Sequence, residues 1–236
     1  MTQLRATTCL GDNTVPILRD LVAELRQVGL DIEFDEELGP AERVELLESG
    51  DADLVWACGL LTIERIAAGR GLEIVAAPVF TGEPAAVYRS VIVVRSDDPA
   101  REGSDTFGRR LAVNEHVSWS GYHGFGRWLA DEGAGSESYP TEVLTGSHRN
   151  SALAVAEGVA DVAAIDHTVW EHLVRTEPAV ESLRVLTTTA DWPAPPFSVR
   201  SADPHGLRAI LANLRPVGLD RIIPASADQY HFMRAL

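Results

Sequence analysis

Two short polar stretches hold residue types that could grip an anion. The first is Asn114-Glu115-His116-Val117-Ser118-Trp119-Ser120-Gly121-Tyr122, where an apolar run passes into a small polar turn that opens a helix. The first N–H groups of a helix lack partners inside it, and that end carries about half a positive charge. Ser118 and Ser120 add two hydroxyls to those N–H groups. The ordinary alternative is a plain serine N-cap, which contributes about 1 kcal/mol. The second stretch is Leu144-Thr145-Gly146-Ser147-His148-Arg149-Asn150-Ser151, again a strand end feeding a helix. Gly146 allows close backbone approach, Ser147 is a cap candidate, and His148 can either donate to an anionic ligand or stand as a solvated loop residue. Asp166 ends a later apolar run with a carboxylate.

Aromatic residues lie near other strand ends: Trp56, Tyr88, Trp119 and Tyr122. Such rings stack on planar or cationic ligands; core packing is the alternative for Trp56, and contact with its own helix for Tyr122. Trp119 sits in a tight turn, where a core role is unusual, so it is assigned to the ligand. Gly59, where the run 52–58 stops, completes the candidates. Glu115-His116 and Asp166-His167 are neighbours along a strand, so their side chains point to opposite faces and make no ready dyad. Neither a nucleophile elbow nor a P-loop nor a metal-ligand spacing occurs, and no metal and no cofactor are expected.

The elements that must position these residues follow a repeated strand–helix pattern. Strands are expected over 4–10, 30–34, 52–58, 72–80 and 87–95, with helices over 17–25, 41–47 and 60–68 between them. A second set has strands over 111–114, 142–144, 160–165 and 183–188, and helices over 121–132, 151–157 and 167–176. A proline-rich crossing over 192–196, a strand over 197–199 and a helix over 204–214 return the chain to the first set, ending in a docked tail at 228–233. Alternation of this kind predicts an α/β protein with mainly parallel sheets. Two lobes are expected, one of residues 1–92 plus 190–236 and the other of 93–189, with ligand at the carboxyl ends of the strands in a cleft between them.

Bulk composition narrows the function. The 236 residues carry a formal charge of −15, and every one of the 20 basic residues is Arg. Nucleic-acid affinity rests on basic residues meeting phosphates, so a nucleic-acid partner is not expected; a small anion is still compatible, because local N–H groups dominate at short range. No apolar run approaches the roughly 18 residues needed to span a bilayer, which excludes membrane insertion. Cys9 and Cys58 are read as reduced core thiols, with a disulfide between neighbouring strands as the alternative. The first residues lack a basic start, an apolar run and a cleavage site. A cytoplasmic location is therefore expected, or a periplasmic or extracellular one if a leader has been removed.

Five segments fall in an order that resembles a known family. They are Ala52-Asp53-Leu54-Val55-Trp56, Val87-Tyr88-Arg89-Ser90-Val91-Ile92-Val93-Val94, Ser118-Trp119-Ser120-Gly121, Thr145-Gly146-Ser147-His148, and Val155-Ala156-Glu157-Gly158-Val159-Ala160-Asp161-Val162-Ala163-Ala164. Over roughly residues 50–200 the chain is similar to the phosphonate/phosphite/phosphate solute-binding proteins of ABC transporters. The resemblance implies a type II periplasmic-binding fold, two lobes with a double-crossing hinge. It implies that Ser118, Ser120 and Gly121 grip phosphonate oxygens, that His148 contacts the same group, and that Tyr88 matches a ligand-contacting tyrosine. Trp119 departs from the family, standing where the turn has a threonine. Asp166 is the single carboxylate near the places where members that bind aminoalkyl phosphonates hold the amine. The implied function is binding of a small anionic ligand, phosphonate-like or a carboxylate or aromatic acid, with an ABC permease as partner if the protein is exported. The alternative is a cytoplasmic enzyme on the same fold, resembling chorismate dehydratases or thiamine-pyrimidine synthases, with His148 and Asp166 as its titratable groups.

Overall fold

A computed structural model describes residues 3–134, 138, 141–200 and 203–234. The chain divides into two compact units, residues 1–87 with 193–236, and residues 88–192. The division falls at Val87/Tyr88 and Trp192/Pro193, outside the strand that the sequence reading cut at residue 92.

The first unit opens with β1 (Leu4–Thr8), α1 (Val15–Gln27), β2 (Ile32–Phe34), α2 (Pro40–Ser49), β3 (Leu54–Trp56), α3 (Gly59–Ala67) and β4 (Glu73–Phe80). β5 (Val87–Tyr88) carries the chain out. The second unit contains β6 (Ser90–Arg95), β7 (Arg110–Val113), a π-turn over Trp119–His123, α4 (Gly124–Asp131), β8 (Thr141–Leu144), α5 (His148–Ala156), β9 (Val162–Asp166), α6 (His167–Thr176) and β10 (Leu183–Thr188). β11 (Trp192–Pro193) pairs with β5 as a two-stranded sheet. The first unit is completed by β12 (Phe197–Val199), α7 (Pro204–Leu211) and β13 (Leu219–Pro224).

The sheet of the first unit has the order β13-β4-β12-β3-β1-β2, and that of the second β10-β6-β9-β7-β8. Apart from the edge strand β13, both orders are the same. Each has a second, first and third strand in parallel, then the strand brought in by a crossing, then a fourth. This repeated order is the one expected of a type II periplasmic-binding fold.

The expectation of mainly parallel sheets is corrected. β12 runs antiparallel to β3 and β4, and β6 antiparallel to β9 and β10. A strand entering directly from another unit has no crossover helix to turn it round, so it need not run with its neighbours. β13, which no sequence pattern announced, adds one antiparallel edge to β4. It is paired on one side only, so half its residues stay exposed and the apolar signal is thin.

The core of the second unit shows why these residues make these strands. Along β6, Val91 and Val93 face one cluster with Ala163, Ile165, Val155 and Leu173, while Ile92 and Val94 face another with Phe125, Trp128, Val162 and Ala164. Alternate residues point to opposite faces of a sheet, and helices cover both faces here, so the strands read as unbroken apolar runs. On α4, Phe125, Trp128 and Leu129 recur at helical spacing and bury together. The ring of Trp128 lies 2.4 Å from where a Cβ on Gly103 would stand, so only glycine fits there.

Candidate ligand-binding site

β7, β8 and β9 lie side by side in the second unit and end in the three segments singled out above. The parallel pairing of β7 with β8 continues past the strands: the Thr145 N–H donates to the Val113 carbonyl at 2.8 Å, and the Gly146 N–H to the Asn114 carbonyl at 2.9 Å. That extension sets the Ser118–Gly121 turn beside the Ser147–His148 turn. Gly146, at φ +81°, supplies the left-handed conformation needed for the chain to leave β8 and enter α5.

Each turn is capped by its own serine. Ser118 Oγ accepts from the Gly121 N–H at 3.1 Å, and Ser147 Oγ from the Asn150 N–H at 3.1 Å. The helix expected over 121–132 starts earlier and wider, as a π-turn in which the His123 N–H donates to the Ser118 carbonyl at 3.1 Å. π-turns recur at functional sites, where they re-aim backbone groups. The decisive contact joins the turns: Ser120 Oγ and His148 Nε2 are 3.0 Å apart. Burial pushes the His148 imidazole below its ordinary value, and the Asp166 charge offsets this only in part. Its Nδ1 is buried, and the Ala164 backbone acts on the ring in the same direction as Asp166.

The other predicted residues take different places. Asp166, 8% exposed, caps α6 by accepting from both the N–H and the hydroxyl of Thr168 at 2.8 Å. Trp119 is fully buried; its ring meets Trp192 edge-on at 5.3 Å, and its Nε1 lies 2.8 Å from where a Cβ on Gly124 would be. The indole expected to meet the ligand is packed here against Trp192 and above Gly124. Tyr88 is buried where the chain enters the unit. Tyr122 is half-buried on the core and edge-on to His116, whose Nε2 pairs with Glu142 at 2.9 Å.

Trp56 and Gly59 belong to the first unit. Trp56 is fully buried beside Phe80 and Phe197, and its Nε1 donates to the Pro195 carbonyl at 3.0 Å. A Cβ on Gly59 would stand 2.6 Å from Tyr230 Cδ1 and 2.9 Å from Met233 Sδ, so this glycine lets the tail dock. Both positions are explained by packing. Cys9 and Cys58 are part-buried thiols, and Cys9 Sγ faces the Arg43 carbonyl at 3.6 Å.

Two residues at the site escaped the sequence reading. Asn114, 8% exposed, lays its Oδ1 where a Cβ on Gly121 would be, 1.8 Å from that point. Ser90, fully buried, donates from its hydroxyl to the Ser120 carbonyl at 2.7 Å. The available signal for Ser90 was a polar residue opening the apolar run Val91–Val94. Among the described residues no cluster of His, Cys, Asp or Glu could hold a metal ion, and no helix is long and apolar enough to cross a membrane.

Residues 12–230 match the family described as ABC transporter, phosphonate, periplasmic substrate-binding protein. The chain belongs to this phosphonate-binding family. Solved structures agree on the fold. A methylphosphonate-bound PhnD1 from Prochlorococcus marinus superposes with a TM-score of 0.80 at 17% identity, covering 98% of this chain and 96% of that one. A binding-protein component of a phosphonate ABC transporter from Pseudomonas aeruginosa gives 0.76 at 17% identity, covering 98% and 84%. A Xanthomonas citri protein with ATP bound gives 0.70 at 19% identity, covering 100% and 99%. No curated protein sequence matches this chain. Membership of a solute-binding family makes ligand binding the function, and the enzyme alternative finds no support in it. The family is one of periplasmic proteins, so the cytoplasmic expectation, drawn from the first residues alone, finds no support either.

Proposed function

We propose that this phosphonate-family protein holds a compact tetrahedral oxyanion, a phosphonate, phosphite or phosphate, between the Ser118–Gly121 and Ser147–His148 turns of its second unit. The observation that carries this is the Ser120–His148 contact at 3.0 Å, which brings a hydroxyl and an imidazole from two helix starts to one point. Helix starts favour anions through their N–H groups and dipole, and charge-assisted hydrogen bonds are the strong ones. Ser118 uses an oxygen lone pair for its cap and keeps its hydroxyl proton for an acceptor. With Trp119 turned inward, that residue contributes its backbone alone, and the family threonine's hydroxyl is absent.

Asp166 directs the reading away from aminoalkyl phosphonates. One of its oxygens already accepts two hydrogen bonds from Thr168, so the carboxylate near the turn serves as a helix cap. We assign the protein to delivery of its ligand to an ABC permease on the outer side of the membrane, as its family membership suggests.

Calorimetry with methylphosphonate, phosphite, inorganic phosphate, sulfate and 2-aminoethylphosphonate tests the reading. Micromolar or tighter binding of at least one of the first three, with the amino compound weaker, is the expected result. Saturation at about 100 times the dissociation constant adds about 2.7 kcal/mol of stability. Failure of all three, or a preference for the aminophosphonate, refutes the assignment.

A further inference from the structure

Both ends of the second unit reach the proposed ligand turn. Ser90 is the third residue of the unit and Trp192 its last. Ser90 is held on both sides of its peptide: its N–H donates to Thr189 Oγ1 at 3.0 Å, and its carbonyl accepts from the Thr189 N–H at 3.0 Å. It also stands opposite Asp166 in the pairing of β6 with β9. From this anchored position its hydroxyl donates to the Ser120 carbonyl at 2.7 Å. Trp192 approaches the same turn one residue earlier, its ring edge-on to Trp119 at 5.3 Å and 83°. The turn between them is a π-turn, whose i to i+5 bonding is wider and weaker than an α-helix.

We infer that Ser90 is a positioning residue for the ligand turn, with Trp192 as a second tie. Through the Ser120 carbonyl, Ser90 sets the direction in which the Ser120 hydroxyl and the neighbouring N–H groups point. The inference rests on the oxyanion reading for its consequence in binding, but the tie itself is a contact within the chain. A hydroxyl there is not a packing accident. The site is fully buried at the head of the apolar run Val91–Val94, where an unbonded hydroxyl would be costly and an alanine would be the simpler choice. The donor is also independent of the turn's own capping, which uses Ser118.

Ser90→Ala, Ser90→Thr and Trp192→Phe in the full chain test this with two readouts. In ligand-free protein, Ser90→Ala should raise amide exchange at Gly121, His123 and Gly124 by about tenfold or more, while the amides of Ala163 and Ile165 on β9 stay at wild-type rates. With methylphosphonate and inorganic phosphate as probes, the same variant should weaken binding by about tenfold. Ser90→Thr, which keeps the hydroxyl, should restore both readouts, and Trp192→Phe should show a smaller loss of the same kind. Equal acceleration at the turn and on β9, or no acceleration, overturns the inference, as does an affinity within twofold of wild type. If the unaltered protein binds neither probe, the oxyanion reading fails by itself and the exchange pattern still decides the role of Ser90. Should Ser90→Ala not fold, the Ser90→Thr and Trp192→Phe patterns decide it by the same criteria.

Discussion

Replacing Gly121 by alanine tests the site geometry through a single methyl group. The added Cβ would stand 1.8 Å from Asn114 Oδ1 and 3.1 Å from His148 Cε1. Carbon and oxygen atoms in contact sit about 3.5 Å apart or more, so the Asn114 amide must withdraw by about 1.7 Å. It has little freedom to do so, being buried, with its own carbonyl fixed by the Gly146 N–H. The imidazole must also retreat, stretching its contact with Ser120. Forcing a methyl into such a site costs about 1–3 kcal/mol, which for a chain of this size lowers the melting temperature by about 2–12 °C. Loss of one charge-assisted hydrogen bond weakens oxyanion binding by about tenfold or more. Scanning calorimetry and titration calorimetry read the two effects. Adding Asn114→Ala removes the first clash, so the double variant should recover about 1 kcal/mol relative to the sum of the single ones. A melting shift under about 1 °C, or strict additivity in the double variant, would refute the steric argument.

Three further outcomes are expected. Trp119→Thr recreates the family's hydroxyl but deletes a fully buried indole that packs on Trp192; it should lose about 3–5 kcal/mol in denaturant titration and gain no affinity for methylphosphonate. Tyr230→Phe removes the donor to the buried Ala194 carbonyl, 2.7 Å away, and should lower stability by about 1–3 kcal/mol with an unchanged denaturant slope. The hydrogen bonds from Arg110 hold the Asp161 carboxyl below its ordinary value; that stabilisation is present above the ordinary carboxylate value near 3.9 and disappears as pH falls through the depressed one. Both side chains are partly exposed, so Asp161→Asn should cost at most about 1 kcal/mol at neutral pH, and the difference from wild type should shrink towards zero in acid.

Much of this protein was readable from local signals. α6 and β10 have the bounds that the sequence set for them, because Asp166 caps one helix and apolar residues on both faces define the strands around it. The Ser118–Gly121 and Ser147–His148 turns were legible for the same reason: a serine followed by exposed N–H groups is a local event. The long strand over 87–95, by contrast, breaks at Arg89, between β5 and β6. The apolar pattern could not show this, since Val87–Tyr88 and Ser90–Arg95 both read as strand while belonging to different sheets.

Residue types near chain turns thus located the two serine-capped turns, and the order of five segments pointed to the family. Which aromatic ring is available was decided by packing. Trp56 was open to a core role and Trp119 was assigned to the ligand, and both are fully buried, one against Phe197 and the other against Trp192. The partners of Ser120 were decided by packing as well, since His148 is 28 residues later and Ser90 is 30 residues earlier. Hydrogen bonds between such distant residues depend on strand order and register, which the alternation of apolar and polar residues leaves open until the sheet has closed.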